Sequence, residues 1–281
     1  MGENTRQAKR GRVRGPRLAT RVRLEGEVLH VTAQVALLPT NITQGQAPGM
    51  AFRIEGQLLP VLHLAMNGQM PVYFEHHVVL WKQPQVNVGV MPLKGAFRRL
   101  VAGMPIFMTQ ASGYGEIAFS RDSPGQVFPL EMRHGTSILV REHQFMAATA
   151  NLGYTFERIR GIGSMLFGHQ GFWQDRFDAM QGDGVLWLHA YGNAFEVVLQ
   201  PGEMIDVEPG SWIYRDPQVG YSQQVFGLKT GILGGGGNLV FNRFTGPGRV
   251  GLQSGYFNPG PADAAGGAAI AGGIIGGLLS G

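Results

Sequence analysis

The 281-residue chain contains no cysteine, which excludes disulfides, thiolate nucleophiles and cysteine-ligated zinc and permits a reducing compartment. Charge is also scarce. Asp, Glu, Lys and Arg together make up 15% of the chain against an apolar share of 44%, the balance of a globular protein that commits apolar surface to strands or to subunit contacts. Helical periodicity is nearly missing; residues 173–181, WQDRFDAMQ, read either as one turn of helix or as strand and loop. His-x-His occurs nowhere, so the metal set of cupin-type barrels is lacking. Gly-x-Ser-x-Gly is also missing, and Ser164 and Ser211 have no companion signature, which leaves nucleophilic catalysis without support. The glycine clusters Gly161-Ile-Gly163 and Gly231 to Gly237 are followed by no Lys-Ser/Thr, and strands flank them, so they read as hairpin or connecting turns rather than phosphate cradles.

Glycine, by contrast, is abundant, at 44 residues, and much of it is placed periodically. Between Gly182 and Arg215, short runs of alternating apolar residues are separated by Gly or Pro-Gly, the mark of consecutive strands joined by tight turns. Phe195, Val197 and Leu199 then share one strand face, and with Ile205 and Val207 they are the expected core; Gly182, Gly184, Gly192 and Gly202 are the expected turns. The pattern recurs at an offset of about 67 residues. Gly125, Phe128, Leu130 and Met132 match Gly192, Phe195, Val197 and Leu199. Gly135, Ile138 and Val140 match Gly202, Ile205 and Val207, while Phe145 falls on Trp212 and Tyr154 on Tyr221. A fainter copy aligns Gly68 with Gly135, Tyr73 with Val140, Glu75-His76 with Glu142-His143 and Val78 with Phe145. A Gly-x-Gly strand opener recurs as Gly113-x-Gly115, Gly182-x-Gly184 and Gly246-Pro247-Gly248. Self-similarity at a fixed period predicts an all-β body of three pseudo-symmetric repeats, roughly 50–115, 116–182 and 183–256, within a domain spanning 50–256.

Both ends depart from this pattern. Residues 1–25 carry Arg6, Lys9, Arg10, Arg12, Arg14, Arg17, Arg21 and Arg23 against Glu3 and Glu25, so this segment is +6 and the rest of the chain −2 within a net charge of +4. These eight residues are the only expected route to nucleic acid, and an anionic membrane surface could hold them in the same way. Residues 1–49 therefore read as a basic arm, with a strand at 24–38 able to pair with a sheet edge of this chain or a neighbour, and a linker at 39–49. No apolar segment follows the basic residues, so the reading includes no secretory signal. Residues 257–281 form a Gly/Ala-rich tail, read first as flexible and second as self-associating or membrane-touching.

Two strings in the last repeat resemble a known family. Gly182-x-Gly184, Gly192, Leu199-x-Pro201-Gly202-Glu203 and Val207, with the closing Phe244-Thr-Gly246-Pro247-Gly248-Arg249-Val250-x-Leu252-Gln253-Ser254, are similar to the altered inheritance of mitochondria protein 24 family over residues 50–256. The resemblance implies a double-stranded β-helix or sandwich like that of the tryptophan RNA-binding attenuation protein, repeated three times within one chain. Its mitochondrial members are linked to inner-membrane organisation, and its bacterial members have no established activity. Met66-Asn67-Gly68-Gln69 replaces the Pro-Gly-Glu that the family places in the first repeat.

Glu75-His76-His77 and Glu142-His143 are the one histidine–carboxylate set at equivalent positions, and they read as polar turns rather than as metal ligands. The expectation is a non-enzymatic structural or assembly protein without catalytic residues, metal or cofactor. It would be a homo-oligomer, trimer or higher, cytoplasmic and docked peripherally on a membrane or a larger complex through its ends, with a mitochondrial location as the alternative. The alternative function is a small-ligand or RNA-binding module using a groove between β repeats.

Overall fold

The structure, a computed structural model, describes residues 23–24, 27–28, 35–37, 42–92, 107–158, 173–226 and 239–255. The basic residues before Arg23 and the tail expected at 257–281 lie outside the described residues. The chain divides into two compact units, Met1–Gln34 and Val35–Gly281. The first holds one short ladder, Arg23–Leu24 against Glu27–Val28. The second is an all-β body in which every ladder is antiparallel and the only helical element among the described residues is the 3-10 turn His76–Val78.

Two long sheets are built to one plan. The first runs in the order Gly125–Met132, Gly184–Tyr191, Phe145–Thr149, Val72–Phe74, the first half of Phe107–Phe119, and Val86–Pro92. The second runs Ala194–Leu199, Gly248–Gln253, Trp212–Arg215, Ser137–Arg141, Trp173–Asp178 and Gly153–Arg158. Val35–Leu37, inside the stretch expected to act as an arm strand, extends the second sheet by pairing with Phe195–Val197 of the same chain. Residues 173–178, ambiguous in sequence, are strand.

The remaining strands form two separate pieces. One carries Val79–Lys82, the second half of Phe107–Phe119, Val61–Asn67, Met50–Glu55 and Gln44–Ala47. The other is Met204–Val207, Leu239–Thr245 and Gly220–Phe226. In the two complete sheets the middle ladder joins Val72–Phe74 to Phe145–Thr149 and Ser137–Arg141 to Trp212–Arg215. The ladder that would follow the same plan, Met204–Val207 to Val79–Lys82, is not formed: among the described residues the former pairs with Leu239–Thr245 alone and the latter with Phe107–Phe119 alone.

Burial explains which residue patterns became which strands. Val197 and Leu199 are fully buried and Val198 faces out, the alternation of a sheet covered on one side. Gly184–Tyr191 is buried at all eight positions, which is why VLWLHAY reads as a continuous apolar run instead. Leu62, Leu64, Ile117 and Phe119 are completely enclosed, and each such side chain contributes about 1.5–3 kcal/mol. Two triads of aromatic rings pack together in the body. Phe145, Tyr154 and Phe177 have ring centroids 5.0–6.3 Å apart, and Trp212, Tyr221 and Phe244 lie 5.5–6.1 Å apart. Tyr154 donates to Asp175 at 2.7 Å, and Tyr221 donates to Asn242 at 2.9 Å.

Two glycine expectations need correction. Gly184 is not a turn; it lies within a strand, and a Cβ there would sit 2.5 Å from Leu152. Gly113 and Gly115 do not open a strand, whereas Gly184 does. Their φ angles of 100° and 125° fall in the middle of the 13-residue strand Phe107–Phe119, where the chain leaves its ladder with Val86–Pro92 and joins Val61–Asn67. Positive φ at both lets one strand serve two sheets without a connecting loop.

Candidate assembly surface and polar centre

Three turns share one construction. Val78 N–H donates to Glu75 O, Gln144 N–H to Arg141 O and Ser211 N–H to Glu208 O, at 3.2, 3.2 and 3.0 Å. Each turn stands between two short strands, so a polar residue that would break a ladder is tolerated there. The turns are tied together: the Arg141 guanidinium donates to Gly210 O at 3.4 Å, and the Gln253 amide donates to the same carbonyl at 2.7 Å. Glu75 N–H donates to Met146 O at 3.4 Å.

Arg121 anchors this centre. Its side chain is 3% exposed and its Nη2 lies 2.6 Å from Glu75 Oε2. The same nitrogen donates to Phe145 O, and Nη1 lies 3.3 Å from His77 Nε2. His189 completes the centre on the strand Gly184–Tyr191. Its Nε2–H donates to Ser123 O at 3.1 Å, which fixes one neutral tautomer. Burial, reinforced by the Arg121 charge and opposed by the Ser123 hydrogen bond, lowers the pKa of His189 to about 4. Among the described residues, His189 Nδ1, Arg121 Nε and both ends of the enclosed Gln144 amide have no hydrogen-bond partner, and each such group costs about 1–3 kcal/mol.

Glu142 behaves differently. The surrounding protein and the like charge of Glu75 push its carboxyl up to about 7, with Arg141 opposing. Its side chain is still 48% open, so solvent screens its coupling to the fold. His143 beside it has a φ of 70° and a pKa lowered chiefly by burial. The histidine–carboxylate positions matched in sequence are thus brought together: Glu142 and His143 both feel the charge of Glu75, and His77 reaches Glu75 at 3.3 Å. His76 lies on the 3-10 turn. Among the described residues no group of three His, Asp or Glu side chains is placed to hold a metal ion.

Sequence reasoning missed Arg121, Arg141, Gln144 and His189. The available signal was a polar residue at the end of, or inside, an apolar run, as in SILVR and VLWLHAY. Arg121 gave no such hint, because its partner Glu75 is 46 residues away.

Exposed apolar side chains also stand on the two strands that, among the described residues, are paired along one edge alone. On Val79–Lys82, Leu80 is 55% and Trp81 42% exposed; on Met204–Val207, Met204 is 57% exposed. An open groove of about 510 Å³ crosses the neighbouring strands over Gln44, Ala51, Phe52 and His63. Its cation, Arg53, is neutralised by Glu116 at 2.6 Å and Glu55 at 3.0 Å, and the Trp81 ring lies 5.7 Å from that of His63.

The body is an all-β protein of curled antiparallel sheets, and comparison with known proteins gives its family. The chain belongs to the mitochondrial biogenesis AIM24 family, whose model matches residues 52–255. It is 28% identical over 192 residues to an uncharacterized protein of Streptococcus pyogenes serotype M6, covering 66% of this chain and 74% of that protein. It is similar to the crystal structure of a Streptococcus pyogenes protein, with a TM-score of 0.57 at 22% identity, over 74% of this chain and 94% of that one. This second likeness shows the fold alone. Among the described residues no helix is long and apolar enough to cross a membrane.

Proposed function

We propose that this protein is a non-enzymatic assembly protein: a body of three pseudo-symmetric repeats of about 67 residues, arranged like the tryptophan RNA-binding attenuation protein, that associates with further copies of itself as a trimer or larger ring. The repeat reading is supported by residues at one offset doing one job. Phe145, Tyr154 and Phe177 become Trp212, Tyr221 and Phe244, and the Tyr154–Asp175 bond becomes Tyr221–Asn242. The first repeat has Val78, Asn87 and Gln110 at the triad positions, consistent with its fainter sequence match.

The observation that carries the functional reading is the pair of strand edges, unpaired among the described residues, on strands bearing exposed Leu80, Trp81 and Met204. Exposed apolar edges are an aggregation liability unless a partner covers them. The polar centre fits a non-catalytic role, since Arg121 is spent on Glu75 and a main-chain carbonyl. Light scattering on the purified chain and on Leu80→Lys and Met204→Lys tests the reading. The expected result is an oligomer that both substitutions weaken; variants of unchanged mass would count against it. Membrane or mitochondrial association, in this reading, is peripheral and runs through the terminal segments. A second reading, a small-ligand or RNA-binding module, draws on the groove beside Trp81 and His63. A thermal shift with nucleotides or RNA, lost on Trp81→Ala, would favour it.

A further inference from the structure

The two free edges are not arbitrary edges. In the two complete sheets the strand that follows each polar turn pairs, antiparallel, with the strand that precedes the turn one position earlier in the chain. Ala147 lies opposite Phe74 and Thr149 opposite Val72; Leu139 lies opposite Arg215 and Val140 opposite Tyr214. Val79–Lys82 is the strand after the first turn, and Met204–Val207 is the strand before the third. They are the two halves of a ladder formed twice elsewhere, and among the described residues each is left open.

We propose that these edges pair between copies: Val79–Lys82 of one molecule forms an antiparallel ladder with Met204–Val207 of the next. This rests on the assembly reading above and names its contact. Carrying over the register of the two internal ladders puts Asp206 opposite Lys82, or one residue along, opposite Trp81. Leu80, Trp81 and Met204, exposed in the single chain, then lie at the joint. The new ladder would satisfy main-chain groups on both edges and extend the three-stranded piece, Met204–Val207 with its two neighbours, into a full sheet. Because the two edges differ, the contact is head-to-tail. Every copy offers one edge of each kind, and assembly proceeds to a ring or a filament rather than stopping at a two-fold dimer.

The absence of cysteine makes the test clean. Lys82→Cys and Asp206→Cys chains, given tags of different size, are mixed and treated with a short bis-maleimide; Trp81→Cys with Asp206→Cys repeats this in the neighbouring register. The expected product contains one chain of each kind, neither single variant crosslinks to itself, and the double variant gives a ladder of multiples. A double variant that closes only within one chain overturns the proposal. If the mixture gives no crosslink while light scattering shows an oligomer, the edge pairing fails and the assembly reading survives; a monomeric wild-type chain removes both. Hydrogen exchange on the unsubstituted protein gives an independent reading. Peptides covering 79–82 and 204–207 are expected to lose protection on dilution, and exchange that is fast at every concentration overturns the pairing.

Discussion

His189 makes the fold sensitive to acid in a way that can be calculated. Its pKa is held at about 4 in the folded chain against an ordinary value of 6.5, because the charged ring would be buried beside Arg121. A depressed histidine pKa means that the unfolded chain binds the proton first. The stability contributed by neutral His189 is therefore fully present above pH 6.5 and is lost as pH falls through about 4. Linkage at this shift gives a loss of about 2 kcal/mol by pH 5 and about 3 kcal/mol by pH 4. Urea unfolding at fixed protein concentration between pH 4 and 7 measures this directly. The informative variant is His189→Gln, whose amide can still donate to Ser123 O but cannot take up a proton in this range. Its stability is expected to fall less steeply with acid than that of the wild type, the two curves separating by about 2–3 kcal/mol at the acid end. Parallel curves would refute the assignment of a buried neutral imidazole at this position.

Glu142 has the opposite sign. A carboxyl raised from 4.5 to about 7 favours the protonated folded state, so its contribution declines as pH rises through that window. Glu142→Gln should raise the thermal midpoint at pH 8 and leave it nearly unchanged at pH 5, by calorimetry. Arg121→Ala strands Glu75 and the Phe145 carbonyl beside an enclosed site, and chemical denaturation should show a loss of about 3–5 kcal/mol. Gly184→Ala places a Cβ 2.5 Å from Leu152 and 2.7 Å from Thr149 Oγ1, a crowding expected to cost about 1–3 kcal/mol in the same assay.

Much of the fold was legible because β-structure writes itself locally. Val197 and Leu199 alternate with exposed Val198, and Gly192 and Gly202, with φ of 73° and 80°, mark turns that only a small residue enters easily. Gly184 and Gly113 were misread for a shared reason. A glycine needed for close packing, or for a bend within a strand, has the same letter as one needed for a turn, and only tertiary distance tells them apart. The polar centre was half legible. Glu75 and Glu142 stood out through the repeat, whereas Arg121 and His189 are recruited by contacts across 46 and 66 residues that leave no trace in local spacing. The open ladder was not legible at all, because Val79–Lys82 is as apolar as the strands that do pair.

The most direct test of the account is the molar mass of the full chain in solution by light scattering across the micromolar range. Self-association through the unpaired edges predicts a mass at a multiple of 30.4 kDa that falls on dilution or on substitution at Leu80. A constant 30.4 kDa at every concentration would contradict it.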